Sequence, residues 1–227
     1  MKLLATNTKL EKGSKLDWQT RGLSLAPASI SGKQLCPHRS RGCEWACLNL
    51  SGMGVFSNVQ EARIKKSKFL IERRAEFLAQ LEKELQNLNK QAGKGKQIAV
   101  RLNVLSDLPW HNLIDMSKFQ NLKFYDYTPN VKRMIQFLNG ELPANYHLTF
   151  SRKENNQALV ELVANMGGNV AVVFDKLPET YLGKPVVDGD ATDLRFLDPQ
   201  GVIVGLKAKG KGKQDESGFV IRTEGGK

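Results

Sequence analysis

A chain of 227 residues, 41% hydrophobic and 25% charged, is long enough to bury the core of one generous domain, 1–227, and too polar to sit in a membrane. No apolar run approaches the ~20 residues of a membrane span, and MKLLATNTKLEKGSKLDW at the start has only a two-leucine stub where a signal peptide would be apolar. The formal charge of +11 attracts phosphate backbones and other anions without choosing among them. A cytoplasmic location and no membrane partner are expected.

Residues 1–18 read as an irregular extension. RGLSLAPA (21–28) is the expected opening strand, and the loop 36–54, CPHRSRGCEWACLNLSGMG, follows with every cysteine of the chain. Residues 57–90 show apolar positions at helical spacing (Ile64, Ile71, Leu78, Leu81, Leu85, Leu88), with Ser57 and Gln60 as a capping box. QIAVRLNVL (97–105) and LKFYDYT (122–128) read as strands, VKRMIQFLN (131–139) as a helix and YHLTFS (146–151) as a further strand. NNQALVELVANMG (155–167) is a helix stopped by Gly167, followed by strand-like runs at 169–175, 185–190, 195–198 and 202–208.

Strands alternating with helices predict a parallel sheet with helical crossovers. The units are too few for a closed eight-stranded barrel, so the expected fold is an incomplete parallel (β/α) barrel, with function at the carboxyl ends of the strands. The polar residues fall there. Asn103, Ser106 and Asp107 close one strand and Asp126 the next. Ser151 and Arg152 follow the third, Asp175 the fourth, Asp188 and Asp190 the fifth, and Lys207 the last. Each alone makes an ordinary cap or turn; together they would build one polar mouth. Asp107, Asp126, Arg152 and Asp188 are the expected catalytic groups. Asn103, Ser106, Ser151, Asp190 and Lys207 are the expected cofactor contacts. Trp110, following Pro109, is expected to face the mouth and stack on a base or sugar.

Cytosolic thiols stay reduced, and an odd count argues against a disulfide framework, so three clustered cysteines point to a metal. Zinc could use Cys36, Cys43 and Cys47 with His38 as a fourth ligand, although structural zinc favours tighter cysteine pairs than C-x6-C. A [4Fe–4S] cluster is the better fit, because three thiolates leave one iron open to substrate or a small cofactor. Radical S-adenosylmethionine enzymes place three cysteines in the same way, after the first strand of a partial barrel. Here the spacing C-x6-C-x3-C differs from their C-x3-C-x2-C, and Asn103 to Asp107 replaces their glycine-glycine-glutamate stretch.

Two further motifs are weaker. GLKAKGKG (205–212) nearly spells a phosphate-binding loop, but Gly212 stands where a hydroxyl should reach magnesium. Asp188, Asp190, Asp193 and Asp198 resemble part of a calcium loop without its closing glutamate.

LAPASISGKQLCPHRSRGCEWACLNLSGMG, VRLNVLSDLPW, KFYDYTPN, NYHLTFSRKEN and VVDGDATDLRFLDPQGVIVGLKAKG together resemble the "gene product 88" proteins of phages and plasmids, over residues 20 to 222. The resemblance implies a mobile-element origin and the three cysteines as metal ligands; it brings no activity with it. Three functions are therefore expected to compete. The first is an iron–sulfur enzyme that cleaves S-adenosylmethionine to act on a small-molecule substrate, with a ferredoxin or flavodoxin as reductant. The second is a basic nucleic-acid-binding protein with a structural iron–sulfur or zinc site. The third is a redox sensor or electron carrier.

Overall fold

The computed structural model describes residues 1–223. Runs of β-branched and aromatic residues form the strands. These are β1 (Leu4–Ala5), β2 (Trp18–Leu23), β3 (Gln97–Arg101), β4 (Leu122–Thr128), β5 (Tyr146–Ser151), β6 (Val170–Phe174), β7 (Thr180–Tyr181), β8 (Lys184–Asp188), β9 (Ile203–Lys207) and β10 (Val220–Ile221). They lie in the order β1-β2-β3-β4-β5-β6-β9-β8-β7, with β10 also on β6. From β2 across to β8 every neighbouring pair is parallel, while β1 and β7 run antiparallel to their neighbours. The ladder runs from β1 to β7 without closing on itself. The fold is a mixed α/β architecture on one open, mostly parallel sheet.

Five helices supply the rest: α1 (Arg41–Trp45), α2 (Ser57–Glu72), α3 (Arg74–Ala92), α4 (Val131–Leu138) and α5 (Gln157–Asn165). Alternation along the strands sends Ile98, Val100, Phe124, Leu148, Phe150, Val170 and Val172 to one face, where they share a core with Phe77, Leu81 and Leu85 of α3, Met134 of α4 and Val160 and Val163 of α5. Each such side chain, fully withdrawn from water, contributes about 1.5–3 kcal/mol. The Asn130 side chain caps α4 by accepting from the Arg133 amide at 3.1 Å.

The opposite face is packed by chain rather than by helices. Ala99 and Tyr125 meet Leu194, Trp18 and Phe196 there, and Gly13 sits tightly against Thr20 and Leu194. At the centre of this plug Asp193, almost wholly buried, accepts from Tyr125 Oη at 2.9 Å and pairs with Arg101 at 2.9 Å and Lys9 at 3.0 Å. The Arg101 guanidinium also lies over the Tyr127 ring, 4.5 Å from its centroid.

Four expectations change. The first parallel strand is Trp18–Leu23, earlier than 21–28, because the chain turns away before Ala28, whose φ is 51°. Residues 1–18 are structured: β1 extends the sheet edge and a 3-10 turn at Leu10–Leu16 joins the plug. The helix expected over 57–90 is two helices broken at Arg73 (φ −134°, ψ 54°). Across the break Phe69 meets Phe77 edge-on at 5.4 Å, and Phe77 stacks on Trp110 at 6.3 Å, which turns the apolar stripe of α3 onto the sheet. Residues 195–198, read as strand-like, form a 3-10 turn at Arg195–Leu197.

Candidate functional site

The sheet forks at the carboxyl end of β6. One edge of β6 pairs with β5 at Val170 and Ala171, then with β10 at Val173 and Phe174. The Arg152 amide makes the last β5 contact, to Ala171 O at 2.9 Å, and the chain then leaves the sheet. Into this fork opens a cavity of about 350 Å³, bounded by the ends of β3, β5 and β9 and by the cysteine loop. That size and place suit a small-molecule site.

Cys36, Cys43 and Cys47 all line the cavity and form no disulfide. Two of the sulfurs meet an N–H donor. The Ala28 amide donates to Cys36 Sγ at 3.4 Å and the Lys153 ammonium to Cys43 Sγ at 2.8 Å. Burial pushes the Cys36 thiol up to about 11, opposed by the Ala28 amide and reinforced by Cys47 and Cys43. Burial raises Cys47 as well, while the Asn49 amide and the charges of Lys153 and Arg63 pull it down. The sulfurs therefore sense one another, and binding a cation to them would release protons.

The loop is held from three sides. Asp107 receives the Leu35 segment through its own amide (to Leu35 O, 2.9 Å), and its carboxylate accepts from Thr128 Oγ1 at 3.0 Å and pairs with Arg133 at 2.8 Å. At the start of α1 Glu154 accepts from Ser40 Oγ at 2.6 Å and the Gly42 amide at 2.8 Å. A Cβ on Gly42 would fall 2.2 Å from Ser217 Oγ and 2.6 Å from Phe219 Cβ, so only glycine lets α1 approach. On the third side buried Asn49 exchanges hydrogen bonds with Gln60 and accepts from Arg63 at 2.5 Å. Gln60 is thus committed to Asn49 and Gly54 rather than to a capping box with Ser57, and α2 has no side-chain cap.

Of the residues expected at the mouth, Asn103, Ser106, Asp107, Ser151, Arg152, Asp190 and Lys207 line the cavity with the three thiols. Asn103 has its side chain committed locally: Oδ1 accepts from Ser106 Oγ, the Leu108 amide and Trp110 Nε1, and Nδ2 donates to Leu108 O and Asp126. Asp190 pairs with Lys209 at 2.5 Å and accepts from the Lys207 amide.

Four of the expected residues lie elsewhere. Asp175 accepts from the Lys176 amide at 2.7 Å and the Thr223 amide at 3.0 Å, outside the cavity. Trp110 is fully buried in the helix-covered core, because its indole N–H finds Asn103 inside and Phe77 stacks on its ring. Asp126 sits behind Asn103, accepting from its amide at 2.7 Å and from Tyr146 Oη at 3.1 Å; burial pushes its carboxyl up to about 7. Asp188 is exposed and accepts the Asp190 amide at 2.8 Å, a turn role. His38 turns its ring to Asp107, 3.0 Å away, rather than lining the cavity. The acidic run is dispersed too, since Asp190, Asp193 and Asp198 each answer a different cation. Among the described residues no three His, Cys, Asp or Glu side chains converge closely enough to chelate one ion as they stand.

Sequence reading missed Lys153, Glu154, Asn49 and Arg133. The first two follow Arg152 directly in SRKEN at the end of β5, a charged run that could have been read as part of the mouth. The near phosphate-loop falls beside the cavity, where Lys209 lines it and Lys211 lies 4.7 Å above the half-exposed Trp45 ring.

Fold and cavity together define a mixed α/β protein with a cavity at the carboxyl edge of its sheet, walled on one side by three thiols. The family model described as Gene product 88 matches residues 1–223, and the chain belongs to that family. No curated protein and no solved structure matches the chain. No helix among the described residues is long and apolar enough to cross a membrane.

Proposed function

We propose that Cys36, Cys43 and Cys47 hold a [4Fe–4S] cluster at the mouth of a sheet curled as a partial barrel, and that the cavity beside it takes S-adenosylmethionine and a small substrate. One observation carries the reading: three sulfurs from one loop face a single cavity, two of them with an N–H donor. Such donors stabilise thiolates and tune clusters. The donor set also favours a cluster over a single structural zinc ion: zinc would need a fourth protein ligand, and His38, the candidate, is turned to Asp107.

When bound, a cluster held by three thiolates supplies an iron open to nitrogen and oxygen ligands and an electron for reductive cleavage. The remaining work falls to this chain's side chains. Lys153 balances charge at Cys43. Asp107, tied to Thr128 and Arg133, fixes the Cys36 end of the loop. A ferredoxin- or flavodoxin-type reductant is the partner this chemistry requires.

Anaerobic purification followed by iron, sulfide and zinc analysis tests the cluster, and release of deoxyadenosine on reduction with S-adenosylmethionine tests the reaction. Zinc without iron, or iron without that product, removes the enzyme reading at the corresponding step.

A second reading has its own observation. Trp45 is 51% exposed beneath the Lys211 ammonium, and Phe56 is 56% exposed. Aromatics interleaved with lysines suit a single nucleic-acid strand. Binding of that kind weakens steeply with salt; a titration with no salt-sensitive DNA or RNA affinity discards it.

A further inference from the structure

Arg152 stands at the fork between β5 and β10, and its surroundings do not account for its charge. Its side chain is more than nine-tenths buried. Nη1 donates to two neutral acceptors, Gly218 O at 2.5 Å and Phe219 O at 2.9 Å, and Nε is buried without an acceptor. No carboxylate among the described residues pairs with it. A neutral amide could bridge two carbonyls at far lower cost than a desolvated guanidinium, whose burial is expensive unless an anion completes it.

Most of the cavity's other cations are paired, which sets Arg152 apart. Arg39 answers Glu44 at 2.6 Å, Lys209 answers Asp190, and Lys9 and Arg101 share Asp193. Arg101 lines the same cavity, is equally buried, and also has an Nε without an acceptor. Lys207, at the end of β9, has no ion pair among the described residues. The sulfurs do not use these charges, because the cations beside them are Lys153 and Arg63.

We infer that the cavity contains an anion subsite centred on Arg152, with Arg101 and Lys207 beside it, that takes a carboxylate or phosphate group of a small-molecule ligand. A guanidinium edge recognises both groups by paired N–H donors, which a lysine cannot reproduce. The subsite deepens the small-molecule reading of this cavity but does not require the cluster.

Calorimetric titration of the anaerobically purified protein with inorganic phosphate and with acetate tests it. Saturable binding of at least one anion is expected, weakened tenfold or more in Arg152→Gln and at least threefold in Arg152→Lys. The exposed-surface control Lys68→Gln should bind as the wild type does. No saturable binding to the wild type, equal loss in Lys68→Gln, or full affinity in Arg152→Lys overturns the inference. Arg152→Lys preserves charge, so it decides the matter even if Arg152→Gln fails to fold. The tighter of the two probes identifies which group the ligand carries. The same titration on metal-free protein separates the two readings: anion binding there survives a failed cluster, and an intact visible spectrum survives a failed anion site.

Discussion

Cys43 shows what a single residue contributes here. Its sulfur is held by an ammonium 110 positions later in the chain, at the end of β5. Cys43→Ala removes little volume from a half-buried position, so the fold should persist; if the loop holds the proposed cluster, iron should fall to background, read by metal analysis alongside thermal unfolding. Lys153→Met should keep the packing against Phe219 and, on the same proposal, give substoichiometric iron. The thiols were legible in the sequence because their spacing is local. Lys153 was not, because only the sheet brings it to the loop. Trp110 was misread for the converse reason: Pro109 suggested exposure, but an indole N–H can be satisfied inside when an asparagine waits there.

Asp126 carries a pH dependence of its own. Burial raises its carboxyl to about 7 in the folded chain, against about 3.9 when unfolded. Between those values the folded state holds a proton that the unfolded state has released. Stability from this group is therefore full below pH ~4 and declines as pH rises to ~7. Urea titrations across that window should show the decline in the wild type and a flatter profile in Asp126→Asn.

At the scale of elements, the informative one is the shortest helix. Five residues do not hold an α-helix by themselves, and α1 persists because Ser40 caps it and Glu154 binds its first turn. Glu154→Ala should cost about 1–2 kcal/mol locally. Hydrogen exchange should then quicken at residues 41–47 while β3 and β4 stay protected. Gly42→Ala, which drives a methyl into Ser217 and Phe219, should displace α1 outright and, on the proposed cluster, hold less iron than Glu154→Ala. The strands β3, β4, β5, β6 and β9 were readable because apolar runs and turn residues bound them. The two-residue β10 was not, since Val220 and Ile221 become a strand only where β5 vacates the edge of β6. The division of α2 from α3 escaped notice because neither proline nor glycine marks Arg73.

Across the whole molecule, the face away from the helices depends on one buried charge. Asp193 ties the N-terminal turn, β3, β4 and the 189–198 segment together through Lys9, Arg101 and Tyr125. The cations around it hold its carboxyl well below the usual range despite burial. Its contribution is full above pH ~4 and fades below that. Asp193→Ala leaves two cations without their counterion and should destabilise the chain by about 3–5 kcal/mol in equilibrium denaturation. The sequence offered Asp193 as a turn or calcium ligand, because nothing local reveals that Lys9 and Arg101 arrive from elsewhere.

The fork in the sheet also bears on how the protein matures. Residues between Leu206 and Phe219 supply the far wall of the pocket, so its rim is incomplete until that segment has joined the sheet. An inorganic cofactor delivered during translation would meet three loose thiols on a nascent loop, without Lys153 held in place by Phe219. If the pocket takes the proposed cluster, loading belongs to the folded chain, and a cell short of iron would accumulate folded apoprotein rather than aborted fragments.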